Sequence, residues 1–207
     1  MVIRELKPSQ RVEGRWLAVL EDGSILRMGE SEVIAFALYA GKELTEEEAD
    51  ALLVCVARSG RKAKALELLA RKPHSHRELE RKLAEWGAEE DEISALCARM
   101  EELGYLNDAD YAARIVRHYC AKGFGEKKLR DELYRRGIPR ALWEEALEQA
   151  ADPAEALDAF VAKKLTGKTP DRKELQKLSA ALARRGYSWS DIRDALGRYG
   201  AETDNFD

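Results

Sequence analysis

Between residues 114 and 136 the chain sets out eight cations: Arg114, Arg117, Lys122, Lys127, Lys128, Arg130, Arg135 and Arg136. Guanidinium and ammonium groups at this density are chemistry for holding anions, either nucleic-acid phosphate or the carboxylates of an acidic protein surface. Lys163-Lys164 and Arg184-Arg185 are two further basic pairs, each smaller than the first cluster. Tyr111, Tyr119 and Phe124 lie among the cations, where rings are able to stack on bases. At helical spacing beside leucines, Tyr111 reads first as core. Glu126, Asp131 and Glu132 are interleaved, so the same cations also suit an ordinary solvated face laced with ion pairs. Gly123 and Gly125 form a turn just before Lys127, which puts a helix N-terminus, a ready anion site, beside the cluster.

Other chemistry is thin. His74 and His76 stand two apart in a segment read as a surface loop, with no cysteine or carboxylate completing a metal site. Cys55, Cys97 and Cys120 are far apart and odd in number, and read as reduced, small core residues rather than ligands or a disulfide framework. Gly167-Lys168-Thr169 matches the end of a phosphate-binding loop, but the upstream glycine and the preceding strand are missing. No nucleophile elbow or metal signature appears, so an enzyme, a cofactor and a metal are not expected.

The charge is divided. The net charge of −4 combines residues 1–57, with 6 Lys/Arg against 11 Asp/Glu, residues 58–200, with 29 against 25, and an acidic end at 201–207. The mildly basic stretch carries the cation clusters, and its excess is small for a protein that coats DNA. No run of about 18 apolar residues occurs, so no membrane span is expected. Met1-Val-Ile-Arg-Glu-Leu lacks the form of a secretory signal, which with the unpaired cysteines points to the cytoplasm.

The elements that must position these groups follow from a repeat. Leu79, Leu83 and Gly87 are spaced four and four, as are Leu129, Leu133 and Gly137, and Leu178, Leu182 and Gly186. Six residues after each glycine stands Ile93, Trp143 or Ile192, and three further on Leu96, Ala146 or Ala195. Leucines four apart share one helix face, the glycine closes that helix, and the next apolar pair faces back from the following helix. Self-similarity at such a period marks stacked helical units. The predicted helices are about 62–71, 76–86 and 89–103 in the first repeat. The second holds 108–121, 126–136 and 139–150, and the third 153–165, 171–185 and 189–199, with Asp152-Pro153 opening the last.

Before the repeats, residues 2–6 alternate as a strand. Two apolar runs flank Glu21-Asp22-Gly23-Ser24 as a hairpin, and a short helix from Glu32 to Tyr39 stops at Gly41. Thr45-Glu-Glu-Glu48 is a capping box opening a helix that runs towards Gly60, and Ser75-His-Arg-Glu78 is another. The predicted fold is therefore mainly α: three tandem three-helix repeats in an elongated, curved array, preceded by a small β-hairpin and helix extension. The divisions are 1–57 for the extension, 58–106, 107–151 and 152–200 for the repeats, and 201–207 for an acidic flexible tail. Such arrays present long binding surfaces and rarely enclose a catalytic pocket.

The most specific stretch runs from residue 104 to 138: Gly104-Tyr-Leu-Asn-Asp108, Tyr111-Ala112, Val116-Arg117, Lys122-Gly-Phe-Gly125, Leu129, Glu132-Leu133 and Gly137-Ile138. This resembles the RecX family of bacterial regulators of the RecA recombinase, whose second repeat shows the same elements at the same spacing. The resemblance covers about residues 58–200, and the hairpin and helix before it are similar to the N-terminal extension of longer members. The third repeat departs most, with Lys168 where Leu69 and Tyr119 stand in the other two and a Gly167-Lys-Thr-Pro170 loop interrupting.

The resemblance implies a non-enzymatic regulator. It would bind RecA and the RecA–DNA filament as a monomer, inhibit ATP hydrolysis, strand exchange and co-protease activity, and so limit recombination and the SOS response. Arg117 and Lys122 match the family pattern directly. The alternative is a helical-repeat protein that binds single- or double-stranded DNA and acts by competing for it. The modest charge of the repeats favours the first, because consequential DNA binding releases many counterions and falls steeply with salt.

Overall fold

The computed structural model describes residues 1–149, 153–165 and 171–198. Asp152, the loop with Gly167-Lys168-Thr169-Pro170 and the tail 201–207 lie outside them. The described chain divides into two compact units, Met1–Lys72 with Glu80–Tyr105, and Pro73–Leu79 with Leu106 onward.

In the first unit, β1 (Ile3–Pro8), β2 (Arg15–Leu20) and β3 (Ile25–Gly29) form an antiparallel sheet in that order. Leu17 pairs with Lys7 on one side and Arg27 on the other. The expected hairpin joins β2 to β3, and the Asp22 carboxylate ties its turn by accepting from the Ser24 amide (2.9 Å) and hydroxyl (2.6 Å). Ile3, Ala18 and Met28 alternate onto one sheet face and are buried with Leu38, Leu44, Ala49 and Leu52.

Helix α1 (Glu30–Ala35) is shorter than the sequence pattern suggests. It does not run on to Gly41. The Ala37 amide bonds to Ile34 O and the Leu38 amide to Val33 O, the closing pair of a Schellman end, with Ala37 at φ +44°. Burial of Leu38 in the core fixes the chain exit there, and a short helix with an alanine in the left-handed region results.

Helix α2 (Glu46–Arg71) opens on the predicted capping box, with Thr45 Oγ accepting from the Glu48 amide and Glu48 accepting from the Thr45 amide. It then runs unbroken through Gly60, where the sequence suggested a break between two helices. A lone interior glycine costs only about 1 kcal/mol relative to alanine. The neighbours of Gly60 are held on both sides: Ser59 donates to Glu32 and Arg61 to Glu92. Helices α3 (His76–Glu85) and α4 (Glu90–Glu102) complete the first repeat, with Leu79, Leu83, Cys97 and Met100 buried and Ile93 and Leu96 half-buried.

The second unit holds two self-contained cores. Helices α5 (Asp108–Ala121), α6 (Glu126–Arg135) and α7 (Trp143–Glu148) enclose Tyr111, Ile115, Val116, Leu129, Leu133, Ile138 and Trp143. The predicted helix 139–150 is shorter than expected. It begins as a 3-10 turn, Arg140–Leu142, because Pro139 offers no side-chain acceptor as a cap and the Trp143 indole is pinned to Ile138 O at 3.0 Å. Helices α8 (Pro153–Leu165), α9 (Arg172–Arg184) and α10 (Trp189–Arg198) enclose Leu157, Val161, Leu175, Leu182, Tyr187, Ile192 and Leu196, with Leu178 packed at the margin. Gly87, Gly137 and Gly186 all sit at positive φ and end their helices as the skeleton predicts.

Candidate functional site

Helix α5 starts on an Asn107 cap, which accepts from the Asp110 amide at 3.0 Å. Its apolar positions Tyr111, Ala112, Ile115 and Val116 face the repeat core, so the 3.6-residue period leaves Arg114, Arg117 and His118 exposed. Arg114 is held by Asp110 one turn back, at 2.8 Å. Among the described residues no carboxylate pairs with Arg117, which borders a cavity of about 210 Å³ with Asn107, Asp110, Leu142 and Glu145. Lys122 caps α5 and is exposed, with its ammonium 5.9 Å from the Tyr119 ring.

Helix α6 spends most of its cations. Arg130 donates to Glu126 at 2.7 Å and twice to Glu144 at 2.8 and 3.2 Å, and both carboxylates hold the guanidinium pKa well above its ordinary value. Glu132 is buried and collects Lys128 (3.1 Å), Arg135 and, at 3.9 Å, Arg136. Burial pushes the Glu132 carboxyl up, but bonds from Arg135, Lys128 and Tyr119 outweigh it and hold the group below the ordinary carboxylate value. Arg136 lies over the Tyr111 ring, donates to its hydroxyl and stands 3.9 Å from Glu78. Lys127 is exposed and outside any ion pair among the described residues, as are Lys163 and Lys164 at the end of α8 and Arg184 at the end of α9.

The helix N-terminus beside Lys127 does not stand open to an anion. The Gly125 amide donates to Arg185 O at 2.9 Å and the Lys127 amide to Gly186 O at 3.1 Å. The α9–α10 turn thus fills the donors that an anion would need. Arg185 is likewise not a free cation. Its guanidinium lies 4.6 Å from the Phe160 ring and 5.6 Å from Phe124, and it donates to the carbonyls of Lys122 and Gly123 at 3.2 Å each. Phe124 and Tyr119 pack on each other rather than presenting open faces, their centroids 5.6 Å apart.

The twelve cations therefore separate. Arg114, Lys128, Arg130, Arg135, Arg136 and Arg185 are engaged by the protein itself. Arg117, Lys122, Lys127, Lys163, Lys164 and Arg184 remain available on exposed surface.

The histidines also differ from expectation. His74 is buried and His76 half-buried. The His76 amide donates to Asp108 Oδ1 at 3.0 Å, with the ring Nδ1 at 3.3 Å from the same oxygen. Packing of the α3 and α5 starts creates this arrangement, and no local sequence signal announces it. Tyr134 and Trp189 are exposed large aromatics, and no local sequence signal singles out either as a surface group. The role of Arg185 had a signal: Arg136 and Arg185 are offset by the same 49 residues as Tyr111 and Phe160.

Comparison with known proteins puts a family to this architecture. Residues 62–100, 107–147 and 151–196 match, in order, the family descriptions "RecX, first three-helix domain", "RecX, second three-helix domain" and "RecX, third three-helix domain". The regulatory protein RecX of Vibrio parahaemolyticus is 38% identical over 137 residues, covering 65% of this chain and 88% of the relative.

The chain belongs to the RecX family.

A second RecX, from Pseudomonas savastanoi pv. phaseolicola, is 34% identical over 140 residues, 67% of this chain and 90% of that one. In fold, the chain is similar to a crystal structure of regulatory protein RecX. The TM-score is 0.64 at 23% identity, with 95% of this chain and 98% of that chain covered. RecX from Lactobacillus salivarius gives 0.58 at 23% identity, covering 70% and 97%. The match to the second RecX domain spans the residues from Arg114 to Arg136, where the available and the engaged cations lie side by side. Among the described residues no helix is long and apolar enough to cross a membrane, and no cluster of three metal-ligating side chains occurs.

Proposed function

We propose that this RecX-family regulatory protein acts in the bacterial cytoplasm on RecA and on the RecA–single-stranded DNA filament. It lowers filament ATP hydrolysis, strand exchange and co-protease activity, and thereby restrains recombination and the SOS response. The observation that carries this reading is the ordered match of all three three-helix domains to relatives named regulatory protein RecX. The surface chemistry supports it. Exposed Arg117, Lys122 and Lys127 in the second repeat and Lys163, Lys164 and Arg184 in the third offer cations to an acidic partner without first breaking an internal ion pair. Contacts on consecutive repeats suit a polymer, because one bound molecule meets neighbouring subunits at high effective concentration.

The same six cations favour a second reading, in which the protein holds DNA phosphate and competes with RecA for the strand. RecA-catalysed ATP hydrolysis on single-stranded DNA, titrated with this protein, separates the two. Filament regulation gives inhibition well below one molecule per RecA, and binding to RecA without DNA that survives moderate salt. Competition gives no inhibition until the DNA is saturated, with affinity falling steeply as salt rises.

A further inference from the structure

Arg136 and Arg185 occupy equivalent places, each the last residue before the glycine that ends its repeat's second helix. Each guanidinium lies over an aromatic ring on its own repeat's first helix, Tyr111 at 5.6 Å and Phe160 at 4.6 Å. Each also reaches into the preceding repeat. Arg136 stands 3.9 Å from Glu78 on α3, and Arg185 donates to the carbonyls of Lys122 and Gly123 at the end of α5.

Their backbones do the same. Arg136 O accepts from the Ser75 hydroxyl at the start of α3, and Arg185 O accepts from the Gly125 amide at the start of α6. The approach is close enough that a Cβ on Gly125 would meet Gly186 O at 2.5 Å, and one on Gly186 would collide with Lys128 N. In the first repeat the corresponding pair is exchanged: Trp86 stands at the arginine position and Arg61 at the aromatic one. That repeat has no earlier one to engage, and Arg61 is spent instead on Glu92.

We infer that Arg185 is a positioning residue, a clamp that locks the second and third repeats at one fixed angle and thereby sets the spacing of the cations each presents to its partner. The guanidinium is held between two rings from different repeats, Phe124 and Phe160, and neutralises the carbonyl end of α5. The two backbone bonds from Gly125 and Lys127 seat the turn that carries it. A binding surface spread over two repeats gains avidity only when both halves meet their targets together, and loses it when the angle between them is free. This deepens the proposed action on the RecA filament and rests on that reading for its functional part. The clamp itself does not.

The test uses the full chain in two variants that disturb the junction by different routes. Arg185→Ala removes the clamp and leaves the cores of both repeats untouched. Gly125→Ala keeps every cation and drives a methyl into Gly186 O, at a backbone conformation (φ −82°, ψ 169°) that alanine adopts freely. Arg193→Ala, an exposed position on α10, controls for loss of one positive charge. Amide exchange is expected to rise about tenfold or more at Gly125 and Lys127 in Arg185→Ala while Leu133 and Leu182 keep their protection. Both junction variants are expected to weaken inhibition of RecA ATP hydrolysis about tenfold or more, with Arg193→Ala close to wild type.

Unchanged exchange at Gly125 and Lys127 in Arg185→Ala overturns the clamp. Weakened inhibition in Arg185→Ala alone, with Gly125→Ala at wild-type level, overturns the positioning role and makes Arg185 a direct contact. Altered exchange with full inhibition in both variants overturns the functional part. Absence of inhibition by the wild-type protein instead refutes the proposed function, and the exchange data still decide the clamp.

Discussion

Arg61 on α2 grips Glu92 on α4 with two hydrogen bonds, Nε to Oε1 at 2.8 Å and Nη2 to Oε2 at 2.6 Å. The Glu92 side chain is 7% exposed and that of Arg61 15%, so the pair is largely withdrawn from water. Arg58 adds a third contact to the same carboxylate at 3.6 Å. A desolvated pair in good geometry is far costlier to break than to replace.

Glu92→Ala is therefore expected to destabilise the protein by about 3 kcal/mol, because Arg61 is left with an uncompensated charge. The double variant Arg61→Met/Glu92→Leu should recover most of that loss. Urea unfolding followed by circular dichroism measures both, and a double variant no better than the single one contradicts the reading.

Acid should weaken the fold through the same kind of group. Three buried glutamates, Glu32, Glu92 and Glu132, sit below their ordinary value of 4.5. Hydrogen bonds from Arg61 lower Glu92. Burial opposes the shift at Glu32 and at Glu132, but bonds from Ser59 at the first and from Arg135 and Lys128 at the second prevail. A carboxyl whose folded pKa is depressed gives stability that is full above its unfolded value and lost as pH falls through the folded one. Unfolding free energy should thus hold above pH 4.5 and decline below it. Glu132→Gln should flatten that decline, as urea midpoints at a series of pH values would record.

Leu133 is fully buried in the second-repeat core, between Leu129 and Ile138. Leu133→Ala is expected to cost roughly 2–5 kcal/mol, as buried leucine truncations do. The same change at exposed Leu103 should fall within about 0.5 kcal/mol of wild type. Thermal and urea denaturation distinguish the two directly.

Arg117 and Lys122 are exposed and enter no ion pair among the described residues. Changing both to glutamate should leave helicity and melting unaltered. Inhibition of RecA should fall by about tenfold or more, roughly 1.4 kcal/mol or more of lost interaction. Wild-type inhibition by this double variant would remove both from the contact surface.

Much of the helical scaffold was legible because its signals are local. The capping boxes at Thr45 and Ser75 lie within four consecutive residues, and both form as read. The glycines at 87, 137 and 186 end their helices in the left-handed region that favours glycine. Where local signals compete with packing, packing won. Gly60 lies inside α2 because its neighbours Ser59 and Arg61 are anchored to Glu32 and Glu92. Helix α1 ends before the glycine expected to stop it because Leu38 is needed in the core.

The candidate surface was legible only as an inventory of charge. The repeat, the family resemblance and the positions of the twelve cations follow from the sequence alone, since each is a matter of spacing along one chain. Arg114, Lys128, Arg130 and Arg135 find partners three or four residues away on their own helix, whereas the second partner of Arg130, the contacts of Arg136 with Tyr111 and Glu78, and every contact of Arg185 were decided by tertiary structure. Arg130 finds Glu144 at 14 residues' separation, and Arg185 finds the Lys122 carbonyl at 63. Partners so distant in sequence meet only when helices pack, and a charged group is committed or available according to what that packing sets opposite it.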